Sequence, residues 1–104
     1  MRSPITWFGG KGHMTKKLIP LVPKHRIYVE VFGGGASLLL AKEPSLVEVY
    51  NDIDAGLVNF FRVLRDPALF AEFRSRVQLI PYARSEFYRY RELWWSGQAP
   101  ADPV

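Results

Sequence analysis

Two short apolar runs rich in β-branched residues divide the first half of the chain. They cover residues 27–31 and 46–50, and a glycine-rich or acidic stretch follows each run. Such runs are typical of strands. Residues 36–41 lie between them and are small residues and leucines that favour a helix. Because a helical connection joins strands that run in the same direction, the pattern predicts a parallel β-α-β unit.

Helical spacing of apolar residues continues on both sides of this unit. Residues 13–21 are predicted to form a short helix that Pro20 and Pro23 end. Asp54 is a suitable N-cap for a helix that extends through Leu64. The broad apolar stripe predicted for that helix contains Leu57, Val58, Phe60, Phe61 and Leu64.

Two further helices are predicted in the last third of the chain. One begins with Pro67 at its first position, and the other begins at Ser85 and Glu86. Residues after Gly97 are predicted to form a polar, extended tail. The first of these helices is predicted to direct toward a core Leu69, Phe70, Phe73, Val77 and Ile80. The second carries Phe87, Tyr88, Tyr90, Leu93, Trp94 and Trp95, which helical spacing assigns to a core or an interface.

The fold class that follows is α/β, but the sheet is incomplete. Parallel strands are normally buried on both faces and flanked by further strands. A two-stranded parallel pair is too small to form a domain by itself. The chain is therefore expected to be the first part of a larger sheet, or to borrow strands from a partner chain.

Composition narrows the class of protein further. The 104 residues allow one small domain, and the absence of cysteine argues against a disulfide-stapled fold and thiolate metal sites. His13 and His25 do not stand in a metal-ligand spacing. No apolar run approaches the length of a membrane span, and no signal-peptide core is present. A cytoplasmic protein without a metal or a membrane partner is expected.

Positive charge is concentrated at the N-terminus. Six Lys and Arg residues and no acidic residue precede Glu30, although the whole chain has a net charge of only +4. This asymmetry favours a polyanion or an acidic ligand group near that end. A solvated basic face is an equally acceptable interpretation.

Three consecutive glycines, Gly33 to Gly35, connect the first predicted strand to its helix. Such a turn lets a ligand approach the backbone, and the N–H groups of a helix start attract electron-rich groups. Asp52 ends the second strand roughly 20 residues later, where a carboxylate can accept hydrogen bonds from ribose hydroxyls. The combination indicates nucleotide-type binding, although a plain loop and half of a dinucleotide-dependent oxidoreductase remain alternatives.

Two large aromatic residues, Trp7 and Phe8, lie among glycines near the N-terminus. A tryptophan in such a loop either plugs the core or stacks on a planar ligand. Lys11 follows Trp7 by four residues, so one loop can offer an aromatic face and a cation together.

Three segments in this order resemble the Dam-type adenine-specific (N6) DNA methyltransferase family, particularly its phage and prophage members. Residues 7–11 resemble the W-x-G-G-K motif, and residues 28–36 resemble V-E-P-F-x-G-x-G/A. Residues 51–62 are similar to the N-D-x-x-x-x-L-x-N-x-x-R segment. Val31 replaces the usual proline, and Ala36 stands where many members have glycine.

The resemblance implies a Rossmann-like methyltransferase fold that uses S-adenosylmethionine and acts on double-stranded DNA. Residues 1–66 would be the cofactor-binding part, and residues 67–104 would be a helical segment leading toward the target-recognition region. Asp52 would hold the ribose hydroxyls, and Lys11 would reach the cofactor carboxylate. The resemblance also implies a bacterial or phage-encoded, cytoplasmic enzyme. The methionine end would be lined by Trp7, Glu30, Phe32 and Gly34.

One motif of the family is absent from residues 1–104. The family's catalytic D/N-P-P-Y/F tetrapeptide does not occur, and Asp102-Pro103-Val104 lacks the second proline and the aromatic residue. No catalytic residue is therefore assigned, and the chain is expected to be an N-terminal fragment that does not methylate DNA alone. The alternative is an inactive remnant or interaction module that binds a partner through its aromatic C-terminal helix.

Overall fold

Two parallel strands, β1 (Ile27–Glu30) and β2 (Val47–Tyr50), form the sheet. Their register pairs Ile27 with Val47 and Glu30 with Tyr50. The computed structural model describes residues 1–97, which are α/β and divide into two units, residues 1–58 and residues from 59 onward. The predicted extended tail after Gly97 lies outside the described residues. The predicted parallel pair is confirmed.

Helix α2 (Ser37–Ala41) connects the two strands, as the sequence predicts. The predicted helix over residues 13–21 is wrong in detail, because the segment forms three pieces. A 3-10 turn at Gly12–Met14 precedes helix α1 (Thr15–Leu18), and a second 3-10 turn follows at Ile19–Leu21. None of these pieces has a side-chain cap, and Pro20 supplies no N–H for a continuing helix. A nine-residue segment without caps gains little from helix propagation.

The two faces of the sheet differ in an unexpected way. One face carries the β-branched pairs Ile27 with Val47 and Val29 with Val49, whose side chains are 42–61% exposed. The opposite face carries Tyr28, Glu30, Glu48 and Tyr50, of which Glu30 is buried. The apolar face of this strand pair therefore remains available for further covering structure, as expected for an incomplete parallel sheet.

Lys42 is buried directly after α2 and lies on the polar face of the sheet. Its ammonium donates to Glu48 Oε1 at 2.5 Å, to Ser45 Oγ at 2.7 Å and to the Glu43 carbonyl at 2.9 Å. These three acceptors satisfy its three donors, and the ammonium also lies 4.4 Å from the Tyr28 ring centroid. A buried charge is tolerated here because it is fully hydrogen-bonded.

The second half of the chain is helical. Its elements are α3 (Ala55–Arg65), α4 (Pro67–Leu79) and α5 (Arg84–Trp95). The predicted cap at Asp54 is confirmed, because its Oδ1 accepts from the Leu57 N–H. Pro67 occupies the first position of α4 as predicted, and Asp66 caps that helix by accepting from the Ala68 and Leu69 N–H groups. Helix α5 begins after Ala83 without a side-chain cap, one residue before the predicted start.

The predicted core face of α4 is wrong for most of its members. Phe70, Val77 and Ile80 are 40–47% exposed, and only Leu69 and Phe73 are half-buried. Phe73 packs edge-on against Phe60, with ring centroids 6.0 Å apart. Apolar spacing defines a stripe on a helix, but burial also requires a neighbouring layer, and α4 buries none of its residues. In α3, Leu57 and Val63 are buried, although the predicted stripe omitted Val63.

We predict that Glu48→Gln lowers the free energy of unfolding by about 1–2 kcal/mol at neutral pH, because buried Lys42 would lose its carboxylate partner. The hydrogen bond from Lys42 lowers the pKa of Glu48 in the folded chain. Its stabilisation is therefore present above the unfolded pKa and is lost as the pH falls through the lowered folded pKa. Urea titrations at decreasing pH should show the wild-type advantage shrinking.

Glu72→Gln is a matched control, because Glu72 pairs with Arg76 on an exposed helix surface. That substitution should change the free energy of unfolding by less than about 0.5 kcal/mol. Equal effects of the two substitutions would contradict the structural role of the Lys42 cluster.

Candidate functional site: a carboxylate-bounded glycine turn

The glycine turn after β1 is attached to the end of β2 through Asp52. Asp52 Oδ2 accepts from the Gly34 N–H at 2.8 Å, and Oδ1 accepts from the Asp54 N–H at 3.0 Å. The Gly33 N–H also donates to the Asn51 carbonyl at 2.9 Å. The parallel register brings the two strand ends side by side, so a turn and an acidic residue that are separated in sequence become neighbours.

Lys11 approaches the same turn from the N-terminal loop. Its ammonium donates to the Phe32 carbonyl at 2.9 Å and lies 3.4 Å from Glu30 Oε1. The Glu30 side chain is only 6% exposed, and both of its oxygens are buried without a hydrogen-bond partner among the described residues. A buried carboxylate that has only a long ion pair can accept further hydrogen bonds from a cationic or N–H group.

Trp7 lies against the other side of the turn. A Cβ built on Gly34 would lie 3.2 Å from Trp7 Cδ1, and one built on Gly35 would lie 3.3 Å from Trp7 Cβ. Gly34 also has a φ of 51°, which disfavours residues with a Cβ. The indole ring thus forms a wall of the glycine turn.

The side chain of Tyr50 packs against the glycine turn and hydrogen-bonds to it. Its hydroxyl donates to the Gly34 carbonyl at 2.7 Å, and a Cβ built on Gly33 would lie only 2.1 Å from Tyr50 Cε2. Asn51 adds a second support, because its side-chain amide donates to the Val31 carbonyl at 2.8 Å. Sequence reasoning did not assign either residue a role. The signal was available, since Tyr50 is the last residue of β2 and Asn51 stands between it and Asp52.

The electrostatic environment keeps Asp52 ionised. Hydrogen bonds from the backbone N–H groups of Asp54 and Gly34 lower the pKa of Asp52, and the Lys11 ammonium acts in the same direction. Burial and the nearby carboxylates of Asp52 and Glu30 raise the pKa of Tyr50 to about 12. The tyrosine therefore stays neutral and remains a hydrogen-bond donor to the turn.

Ala36 has an unusual backbone for an alanine. It is 1% exposed and precedes α2 in the left-handed region, with φ 55° and ψ 28°. A Cβ in this region costs free energy that glycine avoids. This conformation gives a physical reason for glycine at the corresponding position of the motif that residues 28–36 resemble.

The six site residues predicted from the sequence differ in how they contact the glycine turn. Asp52, Lys11 and Glu30 converge on it, and Trp7 contacts it. Phe32 contributes its carbonyl to Lys11, but its side chain is 82% exposed and covers no part of the site.

Among residues 1–97, no cluster of three His, Asp or Glu side chains could hold a metal ion. No helix in the same range is long and apolar enough to cross a membrane.

We predict that Gly33→Ala lowers the free energy of unfolding by about 1–3 kcal/mol, because the new methyl group would overlap the Tyr50 ring. Moving that ring would break its hydrogen bond to Gly34. Gly12→Ala is the control, since its Cβ would meet Ser37 Oγ at an ordinary 3.5 Å. In a Tyr50→Ala background the cost of Gly33→Ala should largely disappear in urea denaturation, and an unchanged cost would contradict this steric explanation.

Comparison with known proteins assigns the family. Residues 7–99 match the family model of the D12 class N6 adenine-specific DNA methyltransferases. A search of curated proteins finds no match. The matched range covers most of the chain and includes Trp7, Lys11, the glycine turn and Asp52. The chain therefore belongs to the D12 class N6 adenine-specific DNA methyltransferase family.

Proposed function

We propose that residues 1–66 are the S-adenosylmethionine-binding part of a Rossmann-like methyltransferase that modifies adenine N6 in double-stranded DNA. The observation that carries this proposal is the convergence of Asp52, Lys11 and Glu30 on one glycine turn. The family assignment supports the reaction class. Residues 67–104 would lead toward the DNA-recognition region.

The charged groups of the site match those of the proposed cofactor. Glu30 is buried without a hydrogen-bond donor, and it could accept from the methionyl ammonium. Lys11 has three donors, and its contacts to Phe32 and Glu30 leave one for the methionyl carboxylate. Each oxygen of Asp52 retains a lone pair for a ribose hydroxyl.

The absence of side chains from the glycine turn also suits this cofactor. Gly34 leaves the space beside the Trp7 indole without a side chain. The methionyl chain could therefore pass close to the backbone, with the indole as one wall.

When bound, the cofactor would supply an electrophilic methyl group on its sulfonium. The residues of this chain would bind and orient it through fixed charges and hydrogen bonds, without a covalent enzyme intermediate. Adenine N6 is a weak nucleophile because its lone pair is delocalised into the ring. The acceptors that would localise that lone pair belong to the tetrapeptide that residues 1–104 lack.

We predict that the chain binds S-adenosylmethionine and that Asp52→Asn weakens binding by roughly tenfold, as expected for losing a charge-assisted hydrogen bond. Glu30→Gln should weaken binding by a similar factor, because a neutral amide would replace the buried carboxylate that attracts the ligand ammonium. Isothermal titration calorimetry measures both effects. Glu43→Gln is the control, because Glu43 is exposed and lies outside the site.

Circular dichroism should first establish that both site variants remain folded. Binding that is unchanged in folded Asp52→Asn would remove the ribose role from Asp52. Binding that is unchanged in folded Glu30→Gln would remove the ammonium role from Glu30.

We predict that residues 1–104 do not transfer methyl groups to DNA, because no acceptor group for adenine N6 is assigned in this chain. The measurement is tritium transfer from labelled cofactor to an adenine-containing duplex, with a complete adenine methyltransferase as positive control. Robust turnover by this chain alone would show that another group in it activates adenine.

A second function is favoured by the surface of α5. The side chains of Phe87, Trp94 and Trp95 are 57–77% exposed. The Arg91 guanidinium lies 4.7 Å from the Tyr88 ring centroid and 5.4 Å from that of Trp95. Such an aromatic and cationic helix surface suits a protein interface. Partner binding without cofactor binding would favour the non-enzymatic alternative.

A further inference from the structure

A second concave region, which Trp7 also lines, is present in the first unit. It encloses about 650 Å³ and is open to solvent. Trp7 therefore contacts Gly34 of the glycine turn and also borders this cavity. None of Lys11, Glu30 and Asp52 lines this cavity, so it is distinct from the proposed cofactor contacts. Its lining includes Arg2, Thr6, Trp7, His13, Lys16 and Ser37.

The first residues of the chain are held in place along this cavity. The Met1 ammonium donates to the Leu40 carbonyl at 2.9 Å, near the C-terminal end of α2, where a cation is favoured. Ser3 Oγ donates to the Ile5 carbonyl at 2.8 Å and accepts from the Ile5 N–H at 3.3 Å. These contacts on both sides of Arg2 keep its backbone at the rim.

A second local contact positions the opposite wall. Thr15 Oγ1 donates to the Gly12 carbonyl at 3.0 Å, which closes the turn that carries His13. Lys16 follows in the first turn of α1 and also lines the cavity. Arg2 and Lys16 therefore border one concavity although they are separated in sequence.

The charge of the cavity is entirely positive. No acidic residue lines it, and the first acidic residue of the chain, Glu30, already pairs with Lys11. Within residues 1–97, neither Arg2 nor Lys16 forms an ion pair. Two cations without counter-ions, together with side-chain hydroxyls, form a site that attracts an anion with several acceptor oxygens.

We propose that this cavity holds the phosphodiester backbone of duplex DNA beside the cofactor site, with Arg2 and Lys16 as its phosphate contacts. The choice of DNA as the polyanion rests on the proposed function. A polymer is favoured over a small anion because the cavity is open to solvent and because no acidic residue precedes Glu30 in the chain. The shared Trp7 wall would place the bound strand next to the methyl donor.

The test is fluorescence anisotropy of a labelled duplex with the full chain at several salt concentrations. Arg2→Gln/Lys16→Gln should weaken binding by about tenfold or more at low salt and make the salt slope less negative by about 1–2, since each phosphate contact contributes about 0.9. Lys17→Gln/Arg26→Gln is the matched control. It removes one Lys and one Arg charge from the same segment but leaves the cavity unchanged.

A clearly larger loss for the cavity pair than for the control pair supports the proposal. Equal losses, or no binding of duplex by the wild-type chain, would overturn it. Tighter binding of single-stranded RNA than of duplex DNA would overturn the assignment to DNA. Saturation by inorganic phosphate that leaves duplex affinity unchanged would place a small anion, and not a nucleic-acid backbone, in the cavity.

Calorimetry with S-adenosylmethionine separates this proposal from the proposed cofactor site. The cavity variant should retain wild-type affinity for the cofactor, because neither substituted residue contacts the glycine turn. Cofactor binding without a selective effect of the cavity pair on DNA would refute the cavity assignment alone. The selective effect without cofactor binding would refute the cofactor site and leave the cavity assignment standing.

Discussion

The hydrogen bond between the Asp52 carboxylate and the Gly34 N–H is the interaction on which the site depends. It ties the turn after β1 to the end of β2 and directs an ionised carboxylate toward the space above both strands. The Tyr50 hydroxyl and the Asn51 backbone hold the neighbouring peptide groups of the same turn. A turn fixed at several points can present its remaining polar groups to a ligand without an ordering cost at binding.

Two charged side chains, Glu30 and Lys42, are buried on one face of the two-stranded sheet. The covered face holds Glu30 near Lys11, and it holds Lys42 in a fully bonded cluster with Glu48. The two carboxylates differ in an important way. Glu48 receives short hydrogen bonds and acts in stability, whereas Glu30 is buried without a donor and retains capacity to bind. A buried carboxylate without a hydrogen-bond donor, next to a cation, is a feature of binding sites more than of structural cores.

The basic segment before Glu30 contributes to two adjoining regions of the first unit. Lys11 contacts the glycine turn, while Arg2 and Lys16 border the cavity that Trp7 also lines. The glycine turn therefore carries the carboxylates of Glu30 and Asp52 beside one cation, whereas no acidic residue lines the cavity. This difference in charge matches the proposed arrangement, in which the turn binds a cofactor with an ammonium group and the cavity binds a phosphate polymer.

The sequence by itself determined the strands, their parallel direction, the cap at Asp54 and the start of α4 at Pro67, because period, capping chemistry and proline placement are local properties. It did not determine burial. The α4 stripe stayed largely exposed and Lys42 became buried, since both outcomes depend on which other groups pack against these residues. The supporting role of Tyr50 depends on the tertiary structure, because the strand register brings its hydroxyl within hydrogen-bonding distance of the Gly34 carbonyl.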